Sequence, residues 1–163
     1  MNVKKLTSLS IAVALAMILS FVESLIPPLV AVPGVKIGLS NIVTVFLLYS
    51  YGWREAGVVS FIRIVLSSIL FGSFVSLLYS FSGALLSFLI MLALKKANLF
   101  SVIGVSVAGG VFHNAGQIAC ACIVMENAAI ASYLPPLIIS GTVAGIAVGI
   151  LAGIISQKLK GKI

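Results

Sequence analysis

The sequence predicts an all-α, polytopic membrane protein, with six transmembrane helices in one bundle and both the N and C termini cytoplasmic. Three observations predict it. Of 163 residues, 61% are hydrophobic and only 8% charged, about a third of the charged share with which a water-soluble domain solvates its surface. Apolar runs of about the length needed to cross the hydrocarbon recur along the chain, broken by charges, Pro and Gly. The basic residues behind the +7 net charge sit in small groups between those runs and form no patch with interleaved aromatics. The bilayer is the expected surround, and nucleic acid is not an expected partner.

The first span covers about residues 6–26. Lys4, Lys5 and the apolar stretch behind them imitate a secretory signal, but the stretch runs on for about 20 residues, so it reads as a retained span. The second covers 34–51, after the Pro33-Gly34 turn, and the third 55–70. Between positions 56 and 94 nothing interrupts the apolar pattern more strongly than Arg63 and a few glycines. One helix of that length would run about 58 Å, nearly twice the hydrocarbon thickness, so the chain folds back between positions 72 and 83 and the fourth span covers 80–94. The fifth covers 100–125 and the sixth 136–157, making residues 1–163 a single integral membrane domain. With the N-terminus inside, eight of the ten basic residues fall on the inner side: Lys4, Lys5, Arg54, Lys95, Lys96, Lys158, Lys160 and Lys162. Only Lys36 is outside, a distribution that follows the positive-inside bias and places the protein in the cell membrane as a multi-pass chain. Pro27-Pro28 and Pro135-Pro136 mark outer turns, and Trp53 lies at an inner boundary.

Several chemistries are excluded by what is missing. The chain has no aspartate and only three glutamates, Glu23, Glu55 and Glu126, far apart in sequence. Ionising an allylic diphosphate through magnesium calls for clustered carboxylates, and holding a nucleotide calls for a phosphate loop. No catalytic residue, metal site or cofactor is expected. Cys120 and Cys122, two apart on a helix, point to different faces and read as packing residues.

The polar residues inside the spans are the candidate site. Arg63 lies nine residues past Arg54, about 13 Å deep, where an unshielded arginine costs at least about 2.5 to 3.5 kcal/mol. It must face other helices or a watery cavity. His113, Gln117 and Cys120 share a face at i, i+4 and i+7, with Asn114 rotated by about 100°. This wall is either interhelical glue or a ligand-facing surface. Asn41 opens the second span behind Lys36 and Gly38, where glycine permits close backbone approach; either these residues reach a ligand, or Lys36 snorkels and Asn41 packs. Glu23 and Glu126 read as rim charges. Ala12 and Ala16, with Ser8 and Ser20 in register, form a small-residue stripe that suits close helix contact in lipid; Gly141, Gly145 and Gly149 form another, assigned to internal packing.

The stretch GVKIGLSNIVTVFLLYSYG (34–52), the FHNAGQ segment (112–117), Arg63 and the Ala12-x-x-x-Ala16 stripe together resemble the bacterial Gx transporter family. That family is labelled heptaprenyl diphosphate synthase component I and is similar in design to the S components of energy-coupling factor (ECF) transporters. The resemblance covers essentially the whole chain. It implies an S-component-like six-helix bundle with a pocket open to the outside, bounded by Lys36 and Asn41 with Arg63, His113, Asn114 and Gln117 deeper. It also implies that Ala12 and Ala16 contact a transmembrane scaffold subunit coupled to ATPase subunits. The expected activity is capture of a small molecule, anionic and isoprenoid- or vitamin-like, from the extracytoplasmic side. The alternative is a non-catalytic membrane component associated with a polyprenyl (heptaprenyl) diphosphate synthase or with quinone or flavin electron-transfer machinery.

Overall fold

The computed structural model describes residues 3–26 and 38–159, and among these it is all-helical. The helices are α1 (Val3–Ser24), α2 (Asn41–Ser50), α3 (Trp53–Phe71), α4 (Phe74–Ala97), α5 (Val102–Val124) and α6 (Leu134–Leu159), with a short 3-10 helix at Ala128–Tyr133 leading into α6. Four stretches are long and apolar enough to cross a membrane: Val3–Ser24, Phe74–Ala97, Val102–Val124 and Ala128–Leu159. The other two helices depart from that pattern for separate reasons. At 19 residues α3 is long enough, but it carries Arg54, Glu55 and Arg63. With 10 residues, α2 rises about 15 Å, half the hydrocarbon thickness. Part of the stretch expected to form the second span is not helical, since residues 38–40 form a turn, and Lys36 lies outside the described residues.

Local chemistry sets the helix ends. The chain folds back at Gly72-Ser73 and α4 begins at Phe74, six residues before the expected start of the fourth span, because Ser73 caps α4 by accepting from the Ser76 backbone N–H at 3.2 Å. At the far end of α4, Asn98 takes the left-handed conformation (φ 56°) that ends helices, and the Ser101 side chain caps α5 from the Gly104 N–H at 3.2 Å.

The helices form two groups of three. In one, α5 lies between α4 and α6; in the other, α1 and α2 pack on α3. The groups meet where α2 touches α6 and α3 touches α4. Glycine brings the first group close. A Cβ on Gly110 would stand 2.3 Å from the Gly141 carbonyl oxygen, so backbone meets backbone across α5 and α6. Gly145 and Gly149 continue this seam against Val107 and Ile103, so the α6 glycine stripe is internal, as its sequence suggested. In lipid such contacts replace the hydrophobic effect as the source of helix cohesion.

The α1 stripe faces into the bundle. Ala12 and Ala16 are 8% and 1% exposed, and Ser20 and Glu23 on the same face are buried too. The stripe belongs to the core, packed with Val43, Leu47, Ala56 and Val59. Ala12 and Ala16 therefore face inward, where α1 meets α3. Ile11, Leu15 and Ile18 form the outward side of α1.

Burial follows a membrane protein's logic. The outside is rich in Leu, Ile, Val and Phe, while among the described residues 15 polar or charged side chains are buried beside 18 apolar ones. The apolar ones collect at the two ends. One cluster joins Ala16, Leu47, Leu48, Ala56, Met91, Val105 and Ala152; the other joins Tyr79, Ile118, Ala121, Ile130 and Leu137. Mid-helix Arg63, Ser67, Gly83, His113 and Gln117 lie between them in chain position. The first end is also closed by polar contacts: the Lys5–Glu55 ion pair, Lys95 Nζ donating to the Leu48 carbonyl, and a 3.2 Å hydrogen bond between Ser50 and Ser156.

The α5–α6 seam makes a direct prediction. Gly110→Ala forces the two backbones apart and should destabilise the protein by about 1 to 3 kcal/mol, as overpacking does. A Cβ at Gly153 meets nothing within 4 Å, so Gly153→Ala should be neutral or gain up to about 1 kcal/mol of helix propensity. Thermal unfolding of the two variants in one detergent measures the contrast.

Candidate functional site

Arg63 anchors one side of the polar layer. On α3, Ser60, Arg63 and Ser67 recur at i, i+3 and i+7 and are all buried, so the helix turns a hydrophilic stripe inward. The guanidinium, 7% exposed, donates from Nη1 to Ser40 Oγ at 2.6 Å. Glu23, 5% exposed at the end of α1, acts on it electrostatically and accepts a hydrogen bond from the Gly38 backbone N–H. The turn before α2 is thus held from two sides, by the α1 carboxylate and the α3 guanidinium. Gly38 makes this possible: its φ is +90°, and a Cβ there would lie 2.8 Å from Asn41 Nδ2. Two opposite charges with hydrogen-bond partners are tolerable in hydrocarbon, whereas either alone is not.

A second part lies where α4 meets α5. Ser76, Ser80, Gly83 and Ser87 form one buried face of α4. Against Gly83 lie the backbone of His113 and the stem of Gln117, whose Cγ would be 2.8 Å from a Cβ on that glycine. Gly116 approaches the same turn, 2.9 Å from the Gly83 Cα by the same measure. Asn114 points elsewhere: its Nδ2 donates to the Leu137 carbonyl of α6 at 2.7 Å, the interhelical role that sequence left open for this wall. Asn41 is half-buried and borders a small cavity with Gly38, Ser87 and Ser106. Its volume of about 10 Å³ is near what one water needs.

The candidate residues therefore divide among several interfaces. Arg63 joins Ser40 and Glu23 where α1, the turn before α2, and α3 meet. His113 and Gln117 pack on α4, Asn114 binds α6, and Asn41 borders the small cavity. Glu23 and Ser40 are the participants that sequence reasoning missed, Glu23 having been read as a rim charge. A signal was present: Ala12, Ala16, Ser20 and Glu23 recur at helical spacing, so the acid lies on the same inward face as the stripe.

Hydrogen-bonding capacity in this interior is incompletely used. Both Gln117 amide atoms are buried without a hydrogen-bond partner, as are Arg63 Nε and the hydroxyls of Ser20, Ser68 and Ser106. Each such group costs about 1 to 3 kcal/mol while unsatisfied. Native interiors rarely leave them so without a ligand, an ordered water or a functional cause.

The sequence profile described as heptaprenyl diphosphate synthase component I matches residues 12–155. The chain belongs to that family. No curated protein and no solved structure matches it. For this component I family member, the match runs from the inward stripe of α1 to the last turns of α6 and so takes in every residue of the polar layer described above.

The Glu23–Arg63 arrangement predicts strong coupling. Glu23→Ala leaves a buried guanidinium without its countercharge and should cost about 3 to 5 kcal/mol. Adding Arg63→Met should recover a large part of that loss. A double-mutant cycle by thermal unfolding reads the coupling, and additive losses would show that the two charges act independently.

Proposed function

We propose that this protein is a substrate-binding membrane subunit of the S-component kind. It captures a small anionic molecule from the extracytoplasmic side and works with a scaffold and ATPase subunits that drive uptake. In this reading the bundle crosses the plasma membrane six times with both termini cytoplasmic. The observation that supports it best is the combination of a buried arginine with unused hydrogen-bonding groups in the middle of an apolar-clad bundle. A guanidinium with one nitrogen unpartnered suits a carboxylate or phosphate, with which charge-assisted bonds are strongest. The Gln117 amide and the His113 imidazole would fix orientation, and the apolar end clusters would exclude water. Asn114 contributes indirectly, by fixing α5 against α6.

The family's description favours a second reading, a non-catalytic membrane component that accompanies a polyprenyl diphosphate synthase. Both readings require an anionic group to be held within the membrane; they differ in the partners. Copurification of scaffold and ATPase subunits supports the first, and copurification of a soluble synthase supports the second.

Native mass spectrometry of gently extracted protein tests capture itself. The wild type should retain a small molecule, and Arg63→Ala should lose it while the bundle stays inserted and helical. Retention undiminished in Arg63→Ala would remove the arginine from the site.

A further inference from the structure

The geometry points to Gln117 as the residue that selects the captured molecule, by reading an amide, lactam or imide edge in which an N–H stands beside a C=O. This inference rests on the capture reading above. Gln117 is 1% exposed, and neither Nε2 nor Oε1 has a hydrogen-bond partner. The other two large buried polar side chains with resolved bonds are engaged, Arg63 with Ser40 and Asn114 with the Leu137 carbonyl. Gln117 alone among the three keeps its whole amide unused.

The shape of that unused capacity defines the guest. A primary amide presents donors and an acceptor side by side in one plane. A carboxylate or phosphate satisfies only the donors and sets an oxygen against Oε1. A partner with its own adjacent donor and acceptor satisfies both at once. The amide is also held in place. Its stem lies against Gly83, where even a Cβ would come within 2.8 Å of Cγ, and the α4 and α5 backbones meet at Gly116. A side chain fixed in this way discriminates better than a mobile one, because little rotamer freedom is lost on binding. The two side chains thus suit different groups, Arg63 an anionic one and Gln117 a neutral polar edge.

The test uses the full-length protein in lipid nanodiscs and three probes: uracil, with a lactam edge and no charge; orotate, with the same edge and a carboxylate; and benzoate, with the carboxylate alone. The wild type should be stabilised against thermal unfolding by uracil and orotate. In Gln117→Met, affinity for both should fall at least about tenfold, a loss of about 1.4 kcal/mol, while the response to benzoate stays at the wild-type level. Without any probe, Gln117→Met should unfold at or above the wild-type temperature, since an apolar isostere replaces an unsatisfied amide. Unfolding well below the wild type would reveal a structural partner for the amide and overturn the inference. A wild type indifferent to both lactams overturns it as well, as expected if an ordered water is the only guest. Should Arg63→Ala release the molecule seen by native mass spectrometry while Gln117→Met keeps it, selection by Gln117 fails and capture stands. If the wild type retains nothing and responds to no probe, both fail.

Discussion

An arginine buried in an apolar-clad bundle sets the terms for the rest of it. A charge shut away from bulk solvent is costly unless other groups compensate it. Arg63 draws in Ser40 from the turn before α2 and Glu23 from the end of α1, while Glu23 takes up the Gly38 N–H. Helices that hydropathy alone would leave free to slide past one another are thereby fixed in register. The short α2 belongs to the same arrangement: the turn at residues 38–40 that precedes it lies where the two charges can hold it.

The second group of helices obeys the opposite rule. Its cohesion comes from the removal of side chains: Gly110 against Gly141 and Gly83 against Gly116 bring backbones nearly into contact. Close approach keeps α5 rigid between its neighbours, and this gives the orientation of His113, Asn114 and Gln117 a meaning. Asn114, tied to the Leu137 carbonyl, fixes the rotation of α5 about its axis. With that rotation set, His113 and Gln117 are carried onto α4 at Gly83, in the middle of its serine face. One group is organised by charge, the other by glycine, and the polar layer lies between apolar clusters that close the ends.

Much of this was legible in the sequence, and the failures have physical causes. Hydropathy located the long apolar helices because 20-residue runs have few other uses in a chain this apolar. Helical spacing correctly separated Asn114 from the His113–Gln117 face. Spacing also found the stripe of Ala12 and Ala16, but a small-residue stripe says only that something approaches closely and does not say whether that neighbour belongs to the same chain. Glu23 was misjudged because it was weighed by its distance from the end of a span, although its register with Ala16 and Ser20 placed it inside. The break before α2 was hidden because Gly38 reads equally well as a helix residue and as a turn. Only the positive φ, the Glu23 contact and the crowding by Asn41 distinguish the two.

The three carboxylates bear on what a component of this family contributes. Glu55 is committed to Lys5, Glu23 lies at the Gly38 turn within the field of Arg63, and Glu126 is exposed just beyond α5. They occupy separate elements, so no two are placed to share the magnesium ion of a diphosphate, and prenyl chain growth requires such ions at clustered acids. What the chain offers is complementary: a cation, an amide and serine hydroxyls held in a medium where each interacts more strongly than in water. That chemistry suits recognition and retention of a polar group. Under the capture proposal, a membrane protein with this equipment would hold a molecule that other subunits move or transform.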